Sequence, residues 1–323
     1  MKILIIGAGQ IGSRHLQGLA RLSEKSEIIV VDPSEDSINI ARERFFSVED
    51  INSEHDINFF NEIPSIDDIN VAIIATSSDI RKNVILDLLK QSSPEHMIIE
   101  KIAFQSHDDF KEIISALEKN DIRGWVNCPN RAFESYKSLK RQLVYDGPLF
   151  MEVYGGNWGL GSNSIHYLDL FSYLIESSDI EIASSFMDNK IYDSKRNGFI
   201  ELGGTLIFKS NNDDLLFMRD MKNSTRPVNV VISTQNQHFV VSELLGEVEI
   251  MTSEDDWTIS KKKFELTNQS SLTTDLVMDI IKRNKTELIS LQDSYKLHGL
   301  LLDQFLETIN IINNEEVRNC PIT

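Results

Sequence analysis

The residues Lys2-Ile3-Leu4-Ile5-Ile6 run straight into Gly7-Ala8-Gly9-Gln10-Ile11-Gly12, and no other stretch constrains the fold as tightly. The first five read as a buried strand. From Gln10 to Leu22, apolar side chains recur at Ile11, Leu16, Leu19 and Leu22, which is helical spacing. A strand that turns through three glycines into a helix has a specific use. Gly7 permits the tight turn, Gly9 bares the backbone to a pyrophosphate, and Gly12 lets helix and strand pack closely. The helix start then offers free N–H groups and a positive dipole end to the phosphates. Asp32 strengthens the reading, because it ends the next β-branched run, Glu27–Val31, 20 residues after Gly12. A carboxylate there accepts hydrogen bonds from the adenosine ribose. It would also repel a 2′-phosphate, and Pro33 and Ser34 bring no cation to offset this. The expected cofactor is therefore NAD in preference to NADP, held by Gly7, Gly9, Gln10, Ile11, Gly12 and Asp32.

Further along, strand-like runs alternate with helical patterns. Asn70–Ala75, His96–Glu100 and Arg123–Asn127 read as strands. Ser34 caps a helix to about Phe46, Asn83–Lys90 is helical, and Ser106 with Asp109 forms a capping box for a helix to about Lys119. Such alternation implies a doubly wound parallel sheet, the Rossmann arrangement. After Arg123 the character changes. Arg131–Tyr145 is expected to be a helix, Phe150–Tyr154 a strand and Ser164–Ile175 a helix. From Ile180 to Leu266 short strand-like runs follow one another: Gly204–Lys209, Asp214–Arg219, Asn229–Ser233, His238–Ser242 and Glu247–Thr252. Strands joined by short turns predict an antiparallel sheet. Thr273–Arg283 and Ser290–Asn313 are helical again. The expected organisation is an α/β nucleotide-binding domain, 1–122, and an α+β domain, 123–323, with the closing helix packing back on the first domain.

Composition narrows the partners. A net charge of −18 argues against nucleic acid and anionic membrane surfaces. The apolar start stops at Gly7, too short for a signal or spanning segment. With two widely separated cysteines, Cys128 and Cys320, the chain reads as cytoplasmic and free of disulfides. The histidines show no zinc-ligand spacing, so no metal is expected.

Three further segments carry a resemblance. Ala75-Thr76-Ser77-Ser78 follows the third strand run, Glu100-Lys101 ends the next, and Asn163-Ser164-Ile165-His166-Tyr167-Leu168-Asp169 lies in the second domain. With Gly7–His15 they resemble the glucose–fructose oxidoreductase / inositol dehydrogenase (Gfo/Idh/MocA) family, strongly over residues 1–131 and moderately over 148–171. The resemblance implies an open-faced, mostly antiparallel sheet in the second domain, which holds a sugar-like substrate and joins copies into a homodimer or homotetramer. It makes Lys101 and His166 the catalytic pair: the lysine orients the substrate hydroxyl and the imidazole exchanges its proton near neutral pH. Thr76, Ser77, Glu100 and Lys101 would line the cofactor. Asn130, Arg131, Trp158, Asn163 and Asp169 would meet the substrate. On residues alone, Glu100-Lys101 is an ordinary exposed charge pair. His15 reads as packing behind the phosphate loop.

This chain departs from the family pattern in two places. Ile102 stands where the family usually has proline after the lysine. Ser162 and Ser164 stand where it commonly has an aspartate and a glycine before the histidine, so a carboxylate that would tune His166 is missing from that spot. The expected activity is NAD(H)-dependent hydride transfer at a hydroxyl or keto carbon of a sugar, sugar acid, cyclitol or nucleotide sugar, with surface-glycan precursor synthesis as a fitting setting. The missing carboxylate keeps a second reading open, a non-catalytic NAD-binding sensor of the same fold. A third is an enzyme that recycles tightly held NAD.

Overall fold

Short apolar runs need two covered faces, and the sequence supplies helices between them to do the covering. A computed structural model describes all 323 residues, Met1–Thr323. Its first part runs β1 (Lys2–Ile6), α1 (Gln10–Leu19), β2 (Glu27–Val31), α2 (Glu35–Phe46), β3 (Asp56–Phe60), β4 (Val71–Ile74), α3 (Ser78–Gln91), β5 (His96–Glu100), α4 (His107–Lys119) and β6 (Arg123–Asn127). Strands β1 to β6 lie parallel in the order β6-β5-β4-β1-β2-β3. Residues Ile3–Ile6, Val71–Ile74 and Met97–Ile99 are almost fully buried, as central parallel strands require.

Ser34 accepts from the Ser37 N–H and Ser106 from the Asp109 N–H, so both expected caps form. Strand β3 has no counterpart in the sequence reading, because Asp56–Phe60 is an edge strand with exposed or half-buried side chains. Helix α3 starts at Ser78, ahead of the expected Asn83, where Ser77 takes the extended N-cap conformation.

The chain continues through α5 (Glu134–Gln142), β7 (Phe150–Gly156), α6 (Leu160–Ile175), β8 (Ile180–Met187), β9 (Tyr192–Asp193), β10 (Ile200–Glu201), β11 (Gly204–Ser210), β12 (Leu215–Met221), β13 (Asn229–Ser233), β14 (Gln237–Ser242), β15 (Glu247–Thr252) and β16 (Ser260–Lys263). Eight of these strands form one sheet, ordered β16-β15-β14-β13-β7-β12-β11-β8. All neighbours are antiparallel except β7 and β12. Alternate residues point one way into a core that includes Met151, Val153, Leu206, Phe208, Leu216, Met218, Val230 and Ile232. Helix α6 is buried on nearly every side and packs against β12.

The last segments are α7 (Gln269–Arg283), β17 (Ile289–Ser290) and α8 (Leu291–Asn313). Contacts divide the chain into two units. The first holds 1–129, 267–294 and Thr323; the second holds 130–266 and 295–322. The sequence boundary at 122/123 therefore shifts. Strand β6 stays in the first unit because it pairs with β5, and β17 adds antiparallel to β6. Helix α7 packs on α1, where Gly18 makes room: a Cβ there would press on the Ser270 carbonyl. Thr274 Oγ1 donates to the Gly18 carbonyl 2.7 Å away.

Candidate functional site

The first unit reverses its strand order between β1 and β4, and the turns after these strands meet there. Gly7 has a φ of +96°, and a Cβ on it would sit 2.8 Å from Thr76 N. A Cβ on Gly12 would collide with the Gly7 carbonyl, so the turn and helix α1 close only around glycine. Gly9 differs. It is exposed, with nothing within 4 Å of a Cβ position, and it caps α1 without a side-chain hydrogen bond. Bare backbone in front of uncapped helical N–H groups is the surface a pyrophosphate needs. Gln10 is exposed and Ile11 half-buried at the same end.

Asp32, half-buried after β2, is tied to this turn. Its Oδ2 accepts from the Ala8 N–H at 2.7 Å and its Oδ1 from the Ser34 N–H at 2.8 Å. Each carboxylate oxygen keeps a further lone-pair direction for a ribose hydroxyl. Arg44 in the last turn of α2 reaches the Gln10 side-chain oxygen at 2.8 Å and Ser13 Oγ at 2.5 Å. It braces the start of α1, a contact over 34 positions that no local pattern announces.

Past the switch point, Thr76 and Ser77 are half-buried at the start of α3, and Thr76 Oγ1 is buried with no hydrogen-bond partner. Glu100 ends β5 and Lys101 follows it. They are no exposed pair: Glu100 is buried, 6% exposed, and Lys101 is half-buried. Glu100 Oε1 lies 2.8 Å from His15 Nε2 and accepts from Asn127 Nδ2 at 2.5 Å. Burial alone would push its carboxyl up. Hydrogen bonds from His15 and Asn127, with the Arg81 charge nearby, outweigh that and hold it below the usual range. His15 Nδ1 lies 2.9 Å from Thr273 Oγ1 of α7, and Asn127 also donates to Gln269 of α7 at 3.1 Å. The Glu100 side chain thus faces the interior of the unit, because the network needs a buried acceptor there. The Lys101–Ile102 peptide is cis.

The second unit gathers the other expected residues on and beside α6. Helix α6 begins at Leu160, a turn before the expected Ser164, because distant carboxylates cap it. Asp220 accepts from the N–H groups of Trp158, Gly159 and Leu160, and pairs with Lys222 Nζ at 2.7 Å. Glu201 Oε1 accepts from the Gly161 N–H at 2.6 Å, and its Oε2 accepts from Ser162 Oγ at 2.7 Å. Glu201, on β10, thus places a carboxylate beside Ser162 at the first turn of α6. Ser164 is fully buried.

His166 is half-buried on α6, and Asn130 Nδ2 donates to its backbone carbonyl at 3.5 Å. Asn163 Nδ2 donates to the Trp158 carbonyl at 2.6 Å. Trp158 donates through Nε1 to the Arg219 carbonyl and meets the Tyr167 ring edge-on, its own ring half-buried. Tyr167 and Tyr136 both donate to Glu243, whose carboxyl burial pushes up. Arg131 and Asp169 bind one another: Nε to Oδ2 at 2.8 Å and Nη2 to Oδ1 at 2.8 Å. Asp169 is fully buried, and burial raises its carboxyl to about 6 against the pull of Arg131. Asn163 and Asp169 therefore each answer to a partner within the unit. No group of three or more His, Cys, Asp or Glu is placed to hold a metal ion, and no helix is long and apolar enough to cross a membrane.

A parallel sheet with this glycine turn, and an acid at the end of β2 tied to it, is the architecture of a Rossmann nucleotide-binding unit. Residues 1–128 match the family model described as an oxidoreductase family with an NAD-binding Rossmann fold, GFO_IDH_MocA. No curated protein matches the sequence. Among solved structures, an oxidoreductase from Agrobacterium radiobacter in complex with NAD+, L-tartaric acid and magnesium is 13% identical with a TM-score of 0.73, over 93% of this chain and 94% of that one. A dehydrogenase from Clostridium difficile is 19% identical with a TM-score of 0.71, over 97% and 99%. A UDP-N-acetylglucosamine 3-dehydrogenase from Acidithiobacillus ferrooxidans is 15% identical with a TM-score of 0.69, over 94% and 96%. At these identities the likeness is one of fold.

Proposed function

We propose that the chain is an NAD(H)-dependent oxidoreductase that transfers hydride to or from a hydroxyl or keto carbon of a sugar-like substrate. The observation that carries this is the bare Gly9 backbone at the uncapped start of α1, beside the Asp32 carboxylate. These residues fit a dinucleotide: Gly7, Gly9, Gln10, Ile11 and Gly12 take the pyrophosphate, and Asp32 takes the ribose and selects NAD over NADP by repelling a 2′-phosphate. Thr76, Ser77 and Lys101 take the nicotinamide side, where the partnerless Thr76 hydroxyl offers a donor. Bound NAD would supply the hydride chemistry. The protein's own part is acid–base work and placement. The Lys101 ammonium orients the substrate oxygen and steadies its developing negative charge, and the His166 imidazole takes or returns the hydroxyl proton.

Trp158 offers an apolar face for a sugar ring, and Asn130, Asn163, Arg131 and Asp169 shape the surroundings of His166. The Glu201–Ser162 bond supports an enzyme over a sensor, because a carboxylate is kept beside the first turn of α6. The second unit's sheet is proposed to join copies, supported by the exposed Phe186 on β8 and the half-buried Ile207 and Phe217 on neighbouring strands. Calorimetric titration with NADH and NADPH, after a check for nucleotide carried through purification, tests the reading. Tighter binding of NADH supports it, and a substrate screen at 340 nm then follows. Binding of neither, with no nucleotide carried, refutes it.

A further inference from the structure

Arg81 is among the largest fully buried side chains in the protein, at 1% exposure, and it belongs to no motif. It sits in the first turn of α3, where its guanidinium points back to the C-terminal ends of β4 and β5. Nη1 donates to the Glu100 carbonyl at 2.7 Å and the Ala103 carbonyl at 2.9 Å, and also to the Ile102 carbonyl. Nη2 donates to the Thr76 carbonyl. One planar cation thus gathers carbonyls from two separate strand-to-helix turns. The carbonyls of Glu100 and Ile102 lie immediately before and after the Lys101 carbonyl, so the backbone is held on both sides of Lys101. Only arginine offers donors on a rigid fork wide enough for this; a lysine ammonium is a single point.

We infer that Arg81 is a positioning residue for the nicotinamide end of the site, clamping the Thr76 turn to the Lys101 turn so that both project in a fixed relation. The inference rests on the dinucleotide reading for its purpose, while the clamp itself is a property of the protein without ligand. On the other side of Lys101, His15 and Asn127 hold the Glu100 side chain. The guanidinium and this network grip the same turn through different groups, the first through backbone and the second through a side chain. The side chains at the pyrophosphate end have other partners: Asp32 is held by the Ala8 and Ser34 N–H groups and Gln10 by Arg44.

That separation gives the test. The full chain carrying Arg81→Lys is compared with the unaltered protein, with Arg81→Gln as the second variant should the first fail to fold. Hydrogen exchange without ligand is expected to quicken at least about tenfold at residues 76–78 and 100–105, while the start of α1 keeps its protection. In calorimetry, ADP-ribose, which lacks the nicotinamide, is expected to bind within about twofold of the unaltered protein. NADH is expected to weaken at least about fivefold, and its bound fluorescence to shift toward that of free NADH. Unchanged exchange in the two turns overturns the clamp, as does a uniform rise across the unit. Equal weakening of NADH and ADP-ribose overturns its selective role. If the unaltered protein binds neither nucleotide, the dinucleotide reading fails and the nicotinamide role goes with it, and the exchange result alone decides the clamp.

Discussion

Replacing Asp169 by asparagine isolates one buried charge. The Asp169 carboxyl is fully buried and stands at about 6, against an ordinary 3.8, because burial outweighs the attraction of Arg131. Between those two values the folded chain keeps a proton that the unfolded chain has released. Ionisation of Asp169 therefore subtracts stability as pH rises through that window. A rise of this size corresponds to about 3 kcal/mol once both states are ionised. Asparagine has nearly the same shape and does not titrate. Its Oδ1 can still accept from Arg131, which also donates to the Asp169 backbone carbonyl at 3.2 Å. Asp169→Asn should therefore gain on the unaltered protein by about 2 kcal/mol between about pH 4.5 and pH 7.5. Urea unfolding followed by circular dichroism across that range measures the difference. Parallel stability profiles would refute the reasoning. A variant that falls further behind as pH rises would show that the Arg131 attraction prevails over burial.

Other substitutions probe the remaining parts. Gly12→Ala should lower the melting temperature and abolish NADH binding, since its Cβ has no room beside the Gly7 carbonyl; calorimetry on folded protein checks this, and retained binding would disprove the tight turn. Asp32→Ala should weaken NADH by about tenfold, roughly the 1.4 kcal/mol of one or two lost hydrogen bonds, and narrow the preference over NADPH. Unaltered discrimination would remove Asp32 from the ribose. Glu201→Ala strips the partners from the Gly161 and Leu202 N–H groups and from Ser162. At about 1–3 kcal/mol for each buried donor left unpaired, a stability loss of roughly 3 kcal/mol is expected in urea unfolding, and a loss within error would mean that water replaces the carboxylate.

What the sequence discloses is what lies close together along it. The glycine turn, the caps at Ser34 and Ser106 and the central strands were legible because each is a pattern of a few neighbouring residues. Strand β3 escaped because an edge strand need not be apolar. The start of α6 escaped because its caps, Asp220 and Glu201, arrive from strands 61 and 40 positions away. The pairing of Arg131 with Asp169 crosses 38 positions, so both read as residues available to a ligand. Arg81 escaped for another reason. An arginine amid Asp79, Ile80 and Lys82 looks like part of a solvated helix face, and only the folded turns reveal the carbonyls it gathers. The acid missing before His166 was a true reading of the line of residues. Glu201, 39 positions beyond Ser162, brings it a carboxylate that no local pattern announces.

Helix α7 sets an order on how this protein comes into being. His15 leaves the ribosome well ahead of its partner Thr273, which follows 258 residues later. Gly18 waits as long for the helix that fills the space above it. The strands β1 to β6 can pair as soon as they are made, yet the unit they form stays open along α1 throughout the synthesis of the second unit. During that interval the half-built nucleotide domain carries an uncovered flank and a histidine–glutamate pair short of one partner. Domains usually finish in the order in which they are translated; here the unit begun before its neighbour closes only after that neighbour's sheet has been made.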